Sequence, residues 1–159
     1  MRRPATAAVV IALASLGLIA PATSATAAAQ DYRCQDEWPG RDGYVRVWEH
    51  YGCDGLPLGK DVGDDNSWSD SVGQFQTPAH TLASSVMNSG FIGGKDVVAF
   101  YAAKNYDYTQ GYVCLAPGEK WADNLTDNYF YGTGTVVNDR IRSHRWVNAS
   151  GCAAGSWLT

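Results

Sequence analysis

The chain is poor in basic residues and lacks the common motifs of catalysis. Only 12 of its 159 residues are Lys or Arg, against 16 Asp or Glu. The net charge of −4 disfavours nucleic acid as a partner, because that binding depends on neutralising phosphates. No His-Glu-x-x-His motif, Gly-x-Ser-x-Gly elbow or phosphate-binding glycine loop occurs. We therefore predict that the protein is not an enzyme and holds no organic cofactor.

Long hydrophobic runs are also missing after the first thirty residues. Arg2 and Arg3 precede a short apolar run at 7–20, and small residues with Ala-x-Ala spacing follow. This order is typical of a secretory signal peptide, and an uncleaved anchor is the alternative. We predict a signal peptide at 1–29 and a secreted, extracellular domain at 30–159 that is monomeric and not bound to membranes. Loss of the two arginines, with no acidic residue, moves the net charge to −6.

The four cysteines show no metal-binding spacing. They are Cys34, Cys53, Cys114 and Cys152. Neither a Cys-x-x-Cys pair nor a His–Cys cluster is present to support a zinc site. An even number of cysteines in a secreted chain indicates disulfides. Three pairings are possible, and proximity in sequence favours Cys34–Cys53 and Cys114–Cys152, one bond in each half.

Helical periodicity does not occur in the predicted mature chain. The segments 44–55 and 96–111 each open with alternating apolar residues and end in turn residues, which predicts strands that run into tight turns. Gly, Tyr, Trp and Val are frequent between regular turn signals. We predict an all-β sandwich of short strands.

The two halves of this chain resemble each other with a period of about fifty residues. Placing Trp48 over Tyr101 aligns the strand patterns, and further along the chain Ser85 corresponds to Ser143. The repetition predicts that one ancestral β unit was duplicated within a single domain.

A second correspondence joins Trp-Ser-Asp-Ser-Val at 68–72 to Trp-Ala-Asp-Asn-Leu at 121–125. We predict that both tryptophans are equivalent and fill the core; a ligand-stacking role is the alternative. The predicted repeats span about 44–91 and 96–147, and a glycine-rich connector at 88–95 joins them.

These residues resemble the βγ-crystallin superfamily, whose motif is an aromatic residue, four residues, an aromatic residue, one residue and a glycine. The first half has Trp48 and the glycine, with Cys53 in place of the second aromatic residue. The second half has Tyr101 and Tyr106, with the glycine displaced to Gly111. The resemblance implies two four-stranded Greek-key motifs that form a βγ-crystallin-like sandwich.

The resemblance also implies a calcium loop of two Asn or Asp residues, two further residues, a hydroxyl residue and a serine. Asn138 and Asp139 match the acidic pair, but Arg142 occupies the hydroxyl position. The first-half loop at 80–85 lacks the acidic pair and keeps Ser84. Ser84, Asn138 and Asp139 would together complete one calcium site, which the nearby Arg142 cation would weaken. The alternative is that these side chains cap turns.

Among βγ-crystallin-like proteins, the segments 114–125 and 138–147 resemble the secreted bacterial metalloproteinase inhibitors. The resemblance implies a secreted metalloprotease, such as a thermolysin-type enzyme, as the partner, blocked by a rigid loop. The Cys-Pro reactive bond of that family does not occur here. The candidate loops are 103–111 and 54–60.

Two other functions fit the same pattern. A killer-toxin-like or antimicrobial protein would act on a cell surface or wall, and Tyr106, Tyr108 and Tyr112 would suit contact with glycans. A calcium-stabilised structural module is the other alternative.

One strand of the second half carries alternating basic residues. Arg140, Arg142 and His144 are predicted to share a solvent face. This stripe would pair with the acidic turn at 61–66 or meet an anionic partner.

Overall fold

The computed structural model describes residues 33–159, so the predicted signal peptide at 1–29 lies outside the described residues. The strands are β1 (Val45–His50), β2 (Asp54–Asp61), β3 (Ser85–Asn88), β4 (Val97–Tyr101), β5 (Tyr112–Leu115), β6 (Trp121–Ala122) and β7 (Ser143–Val147). One α-helical turn lies at 33–36. The 3₁₀ turns are Ala79–Thr81, Lys104–Tyr106, Tyr108–Gln110, Ala149–Gly151 and Ala154–Ser156. None of the helices described is both long and apolar enough to cross a membrane.

The strands form two antiparallel sheets that exchange edges between the two halves of the chain. The first sheet has the order β2-β1-β3-β6, and the second has the order β5-β4-β7. Strand β6, from the second half, therefore completes the first-half sheet. Asp65, from the first half, forms an antiparallel bridge with His144 of β7 and so extends the second sheet. This order confirms the predicted all-β class and the two Greek-key motifs of a βγ-crystallin-like sandwich.

The main core lies between the two sheets. It contains Val45 and Val47 of β1, Val98 and Phe100 of β4, and Ile141 before β7, all almost fully buried. The alternation of Val45 and Val47 places both side chains on the inner face, because successive residues of a strand point to opposite faces. One core therefore serves both halves, as expected when neither half can cover its own apolar face.

Each half folds its first hairpin over a buried serine. In the first half, the Ser85 hydroxyl donates to the His50 carbonyl oxygen at 2.7 Å and accepts from the Cys53 N–H at 3.0 Å. Cys53 has a positive φ of 56°, a conformation that few residues other than glycine adopt. The serine satisfies two backbone groups that this sharp turn leaves outside the strand ladder.

The second half repeats this arrangement, with the hairpin residues 53 positions later and the serine 58 positions later. The Ser143 hydroxyl donates to the Ala103 carbonyl oxygen at 2.7 Å and accepts from the Tyr106 N–H at 3.3 Å. Tyr106 has a φ of 58°, matching the backbone of Cys53. After this turn the offset grows to 55, because Trp48 pairs with Pro57 whereas Tyr101 pairs with Tyr112. Two residues are therefore inserted in the second hairpin.

The predicted equivalence of Trp68 and Trp121 is wrong. The N–H of Trp68 donates to the Arg142 carbonyl oxygen at 2.9 Å, and the N–H of Leu125 donates to the Ser84 carbonyl oxygen at 3.0 Å. Arg142 and Ser84 immediately precede the two equivalent serines, so the counterpart of Trp68 is Leu125. The similar segments 68–72 and 121–125 are therefore not structurally equivalent, because the structural match lies four residues further along the second segment.

The two tryptophans consequently have different surroundings. Trp68 is fully buried in the main core and stacks on Phe75 with ring centroids 4.5 Å apart. Trp121 of β6 is half-buried and contacts Trp38 edge to face at 6.1 Å in a separate cluster. Only Trp68 fills the main core as predicted.

The two disulfides join Cys34 to Cys53 and Cys114 to Cys152, the pairing that proximity favours. The first closes 19 residues and the second closes 38. In the chain-entropy account each bond contributes roughly 3 kcal/mol by restricting the unfolded chain. The first bond attaches the N-terminal segment, and the second attaches the C-terminal segment to β5.

Candidate functional site

The connector between β3 and β4 presents two adjacent apolar side chains to solvent. Phe91 and Ile92 are 65% and 66% exposed. Gly93 and Gly94 follow with positive φ angles, and a Cβ at either position would meet no atom within 4 Å. At the tip of this connector loop, residues 89–95, the two glycines therefore have open space beside them.

A single buried side chain joins the two ends of the connector loop. Asn88 is fully buried, and its Nδ2 donates to the carbonyl oxygens of Asp96 at 2.8 Å and Leu115 at 3.0 Å. Its Oδ1 accepts from the N–H of Gly90 at 3.0 Å. The side chain of Asn88, the residue just before the loop, therefore bonds to both loop ends and closes the loop.

The N-terminal segment gives the loop further support. The Arg41 guanidinium donates to the carbonyl oxygens of Asn88 at 3.0 Å and Gly90 at 3.3 Å, and also to that of Pro117. The Ser89 carbonyl oxygen accepts from the N–H groups of Asp42 and Gly43, both at 2.9 Å. These bonds hold the loop base while the Phe91 and Ile92 side chains remain exposed.

A cavity of about 480 Å³ lies beside the connector loop. Its lining includes Val62, Phe91 and Trp146, with Asp64 and Lys95 as charged groups. A Cβ at Gly43 would lie 3.0 Å from the Phe91 ring, so this glycine lets the ring lie against the backbone. The loop and the cavity together form one surface with an apolar projection beside a recess.

The two loops predicted as candidates belong to hairpins. Residues 54–60 lie in β2 and pair with β1. Residues 103–111 contain two 3₁₀ turns, and the Asn105 N–H donates to the Asn66 carbonyl oxygen at 2.8 Å. Sequence reasoning treated 88–95 only as a connector. The missed signal was the Phe91-Ile92 pair, which is flanked by glycines in a segment that was not expected to be buried.

The structure brings the predicted calcium-binding segments side by side. The Leu125 N–H donates to the Ser84 carbonyl oxygen at 3.0 Å, and the Asn138 N–H donates to the Leu125 carbonyl oxygen at 3.1 Å. The Asp139 N–H donates to the Ala83 carbonyl oxygen at 2.9 Å. Ser84, Asn138 and Asp139 therefore lie on two adjoining loop segments.

The oxygen atoms of these segments partly fit a calcium ion. Asn138 Oδ1 is buried and has no hydrogen-bond partner, and such an amide oxygen is a suitable ligand for a hard cation. Burial raises the pKa of the Asp139 carboxyl group, against the opposing effects of Asn138 and Arg140. Within residues 33–159, no three His, Cys, Asp or Glu side chains are grouped to hold a metal, so backbone and amide oxygens would have to supply most ligands.

Arg142 already places a cation between the two loops. Its guanidinium donates to the carbonyl oxygens of His80, Asp139 at 3.3 Å and Ile141 at 3.4 Å. Burial, followed by the charge of Arg140, lowers the pKa of Arg142. The guanidinium therefore uses carbonyl oxygens that a metal ion at this position would otherwise attract.

The predicted basic stripe does not form, because His144 is fully buried. The Trp68 indole N–H donates to His144 Nδ1 at 3.0 Å, and Nε2 lies 3.0 Å from the Gly63 carbonyl oxygen. Nδ1 is therefore the acceptor, and Nε2 carries the proton and donates to Gly63. Burial lowers the pKa of His144, although Asp61 and Asp65 oppose this shift. The inward position follows from strand alternation, since His144 occupies the position of the core residue Val86.

No protein-family model matches the chain, and no curated protein matches it at a significant level. Among solved structures, the chain is similar to a betagamma-crystallin from an archaeon, with 21% identity and a TM-score of 0.42. The similarity covers 65% of this chain and 96% of that protein. The fold assignment rests on the strand order and the hairpin contacts described above.

Proposed function

We propose that the protein is a non-catalytic inhibitor of a secreted metalloprotease and that the connector loop enters the protease cleft. The observation that carries this proposal is the loop closed by Asn88, with Phe91 and Ile92 exposed at its tip. The arrangement supports an inhibitor because both loop ends are fixed before any partner is bound.

Both the tip and the base of the connector loop favour binding energetically. Binding orders flexible groups at a free-energy cost, and a loop that is already ordered avoids much of that cost. Apolar side chains that fill a partner's pocket are typical binding hot spots. Phe91 and Ile92 expose most of their surface in the free protein, so this surface remains available to be buried against a protease.

The test uses thermolysin as the probe protease. We expect the mature protein to inhibit thermolysin, and we expect Phe91→Ala and Ile92→Ala each to weaken inhibition by roughly tenfold or more, as for hot-spot residues. Val72→Ala is the matched control, because Val72 is 74% exposed in a different loop. Its inhibition constant should equal that of the unaltered protein.

The outcomes separate the protein's function from the choice of loop. Inhibition that survives Phe91→Ala and Ile92→Ala would assign the activity to another surface. No inhibition of thermolysin or of metalloproteases from the protein's own culture medium would overturn the proposed function. Mass spectrometry of the complex would add direct evidence if slow cleavage occurs next to Phe91.

A calcium-stabilised structural module is the second candidate, favoured by the unpartnered Asn138 Oδ1. Ser84, Asn138 and Asp139 are the side chains that would hold the ion, and binding would stabilise the native state because the unfolded chain has no site. Thermal unfolding with calcium and with a chelator tests this candidate. Equal midpoints under both conditions would reject it.

We also propose that the mature protein is secreted and monomeric. The apolar run after Arg2 and Arg3 supports secretion, as do the two disulfides, which persist in oxidising compartments. Sequencing the amino terminus of the secreted protein would locate the cleavage, and light scattering would give the oligomeric state.

A further inference from the structure

A group of tyrosines lies on adjoining backbone segments of the second half. Tyr108, Tyr129 and Tyr131 are 69%, 57% and 45% exposed, and Tyr112 is half-buried against Tyr131. We define these four residues as the tyrosine face. Exposed aromatic rings lower solubility and contribute little to the core, so a concentration of them indicates a contact surface.

The backbone holds two of these tyrosines in one direction. Tyr129 and Tyr131 flank Phe130, which is almost fully buried in the main core. Because side chains alternate along an extended segment, Tyr129 and Tyr131 point together toward solvent. A tight turn follows, in which the Phe130 N–H donates to the Thr135 carbonyl oxygen at 2.8 Å. The core anchor and this turn hold the two rings on one side of the segment.

Tyr131 is further fixed by its neighbours. Tyr112 and Tyr131 exchange two backbone hydrogen bonds at 3.3 and 2.9 Å, and their rings meet edge to face at 5.6 Å. A Cβ at Gly155 would lie 3.3 Å from the Tyr131 ring. The Tyr131 ring therefore rests against Tyr112 and the backbone of Gly155 while nearly half of the residue stays exposed.

The surroundings of the tyrosine face are polar and lack cations. The segments 105–112 and 126–136, which carry these four tyrosines, contain no Lys or Arg, and Asp107 and Asp127 are their charged residues. Their exposed side chains instead include the hydroxyl and amide groups of Thr109, Gln110 and Thr133. A surface without cations does not suit nucleic acids, acidic glycans or anionic membranes, which all require neutralisation of negative charge.

We propose that the tyrosine face binds a neutral polysaccharide whose sugar rings present flat C–H faces, such as a β-1,4-linked glucan or N-acetylglucosamine polymer. Aromatic rings bury apolar faces well, and tyrosine adds a polar hydroxyl. The sugar C–H faces stack on Tyr129 and Tyr131, and the hydroxyl and amide side chains bond the sugar hydroxyls. Binding of this kind needs no metal and does not depend on the inhibitor function.

The test measures retention of the mature protein on insoluble cellulose and on insoluble chitin, followed by titration with cellohexaose and chitohexaose. These two arms distinguish glucan from N-acetylglucosamine polymer. We expect retention on one of the two polysaccharides. This retention should resist a chelator and ~1 M NaCl, a salt concentration that screens charge pairs. Tyr129→Ala and Tyr131→Ala should each weaken binding roughly two- to tenfold.

The controls address folding and the role of the ring. Tyr131→Phe keeps the ring and should retain most of the binding, whereas Tyr51→Ala removes a 53% exposed tyrosine in the first half and should change nothing. Thermal unfolding of each variant checks the fold, and Tyr129→Ala remains informative if Tyr131→Ala unfolds. Retention on neither polysaccharide overturns the proposal, as does retention abolished by salt or unchanged in the Tyr129→Ala/Tyr131→Ala double variant.

Discussion

The indole N–H of Trp68 donates a hydrogen bond to Nδ1 of His144 at 3.0 Å across the interface of the two Greek-key motifs. Both side chains are fully buried. Because Nδ1 accepts this bond, the imidazole must be neutral. A protonated His144 would turn a second donor toward the indole N–H and lose the bond.

The first prediction concerns pH. Burial lowers the pKa of His144 below its usual 6.5, although Asp61, Asp65 and Asp64 raise it in part. The unfolded chain therefore binds this proton more readily than the folded chain. The stability that neutral His144 contributes is fully present above pH 6.5 and is lost as the pH falls from 6.5 through the lower folded pKa. Urea unfolding between about pH 8.5 and pH 4.5, about two units to either side of the reference pKa, measures the loss.

A matched variant isolates the contribution of His144 to that loss. His144→Gln keeps an acceptor for the indole and a donor for Gly63 but does not titrate in this range, so its stability should depend less on pH. The pKa of His80 is also lowered, first by burial, and His80→Gln therefore controls for the second histidine. An unchanged pH slope in His144→Gln would contradict the prediction.

The second prediction follows from the corrected register of the tryptophans. Trp68→Leu introduces the residue type of its true counterpart, Leu125, but removes a stacked ring from a filled core. We expect it to lower the free energy of unfolding by about 2–4 kcal/mol, since core truncations of this size leave cavities. Trp121→Leu should cost about 1 kcal/mol, because its side chain is half-buried at the sheet edge. Urea unfolding of the two variants gives the comparison, and equal losses would contradict the register.

The third prediction concerns the base of the connector loop. Asn88→Ala leaves the Asp96 and Leu115 carbonyl oxygens and the Gly90 N–H without their side-chain partner, so we expect a loss of about 1–3 kcal/mol in the free energy of unfolding. Amide exchange should rise at Gly90, whose N–H bonds to Asn88. Asn148→Ala, at an exposed position before a 3₁₀ turn, is the control. Unchanged exchange at Gly90 would show that Asn88 does not hold the loop.

The fourth prediction concerns the cation between the calcium-like loops. Arg142→Ser removes the guanidinium from the carbonyl oxygens of His80 and Asp139 and restores a hydroxyl at that position. Without calcium we expect the variant to unfold at a lower temperature than the unaltered protein. Added calcium should raise the variant's midpoint more, because ligand binding to the native state stabilises it. Arg140→Ser controls for the loss of one charge, and identical calcium responses in all three proteins would contradict the prediction.

Local patterns in the chain were sufficient to predict the all-β class. Alternating valines and the aromatic residues at Trp48 and Tyr101 report local backbone demands, and Ser85 and Ser143 recur at equivalent positions of the two halves. A strand shows its buried face by alternation, and a sharp hairpin needs a hydroxyl for its unpaired backbone groups. For this reason the all-β class and the favoured disulfide pairing followed from the residues, whereas the two Greek keys followed from the family resemblance that those residues carry.

Contacts between distant segments decided the remaining features. Trp68 matches Leu125 rather than the identical Trp121, because register depends on which strand lies alongside and not on residue similarity. The sequence pattern predicted that Arg142 and His144 share a basic solvent face. In the structure His144 is buried and Arg142 donates to carbonyl oxygens. Phe91, Ile92 and the tyrosine face are exposed although apolar and aromatic residues usually predict a core. Exposure and partner choice are properties of the packed chain, because only packing determines which surfaces remain uncovered.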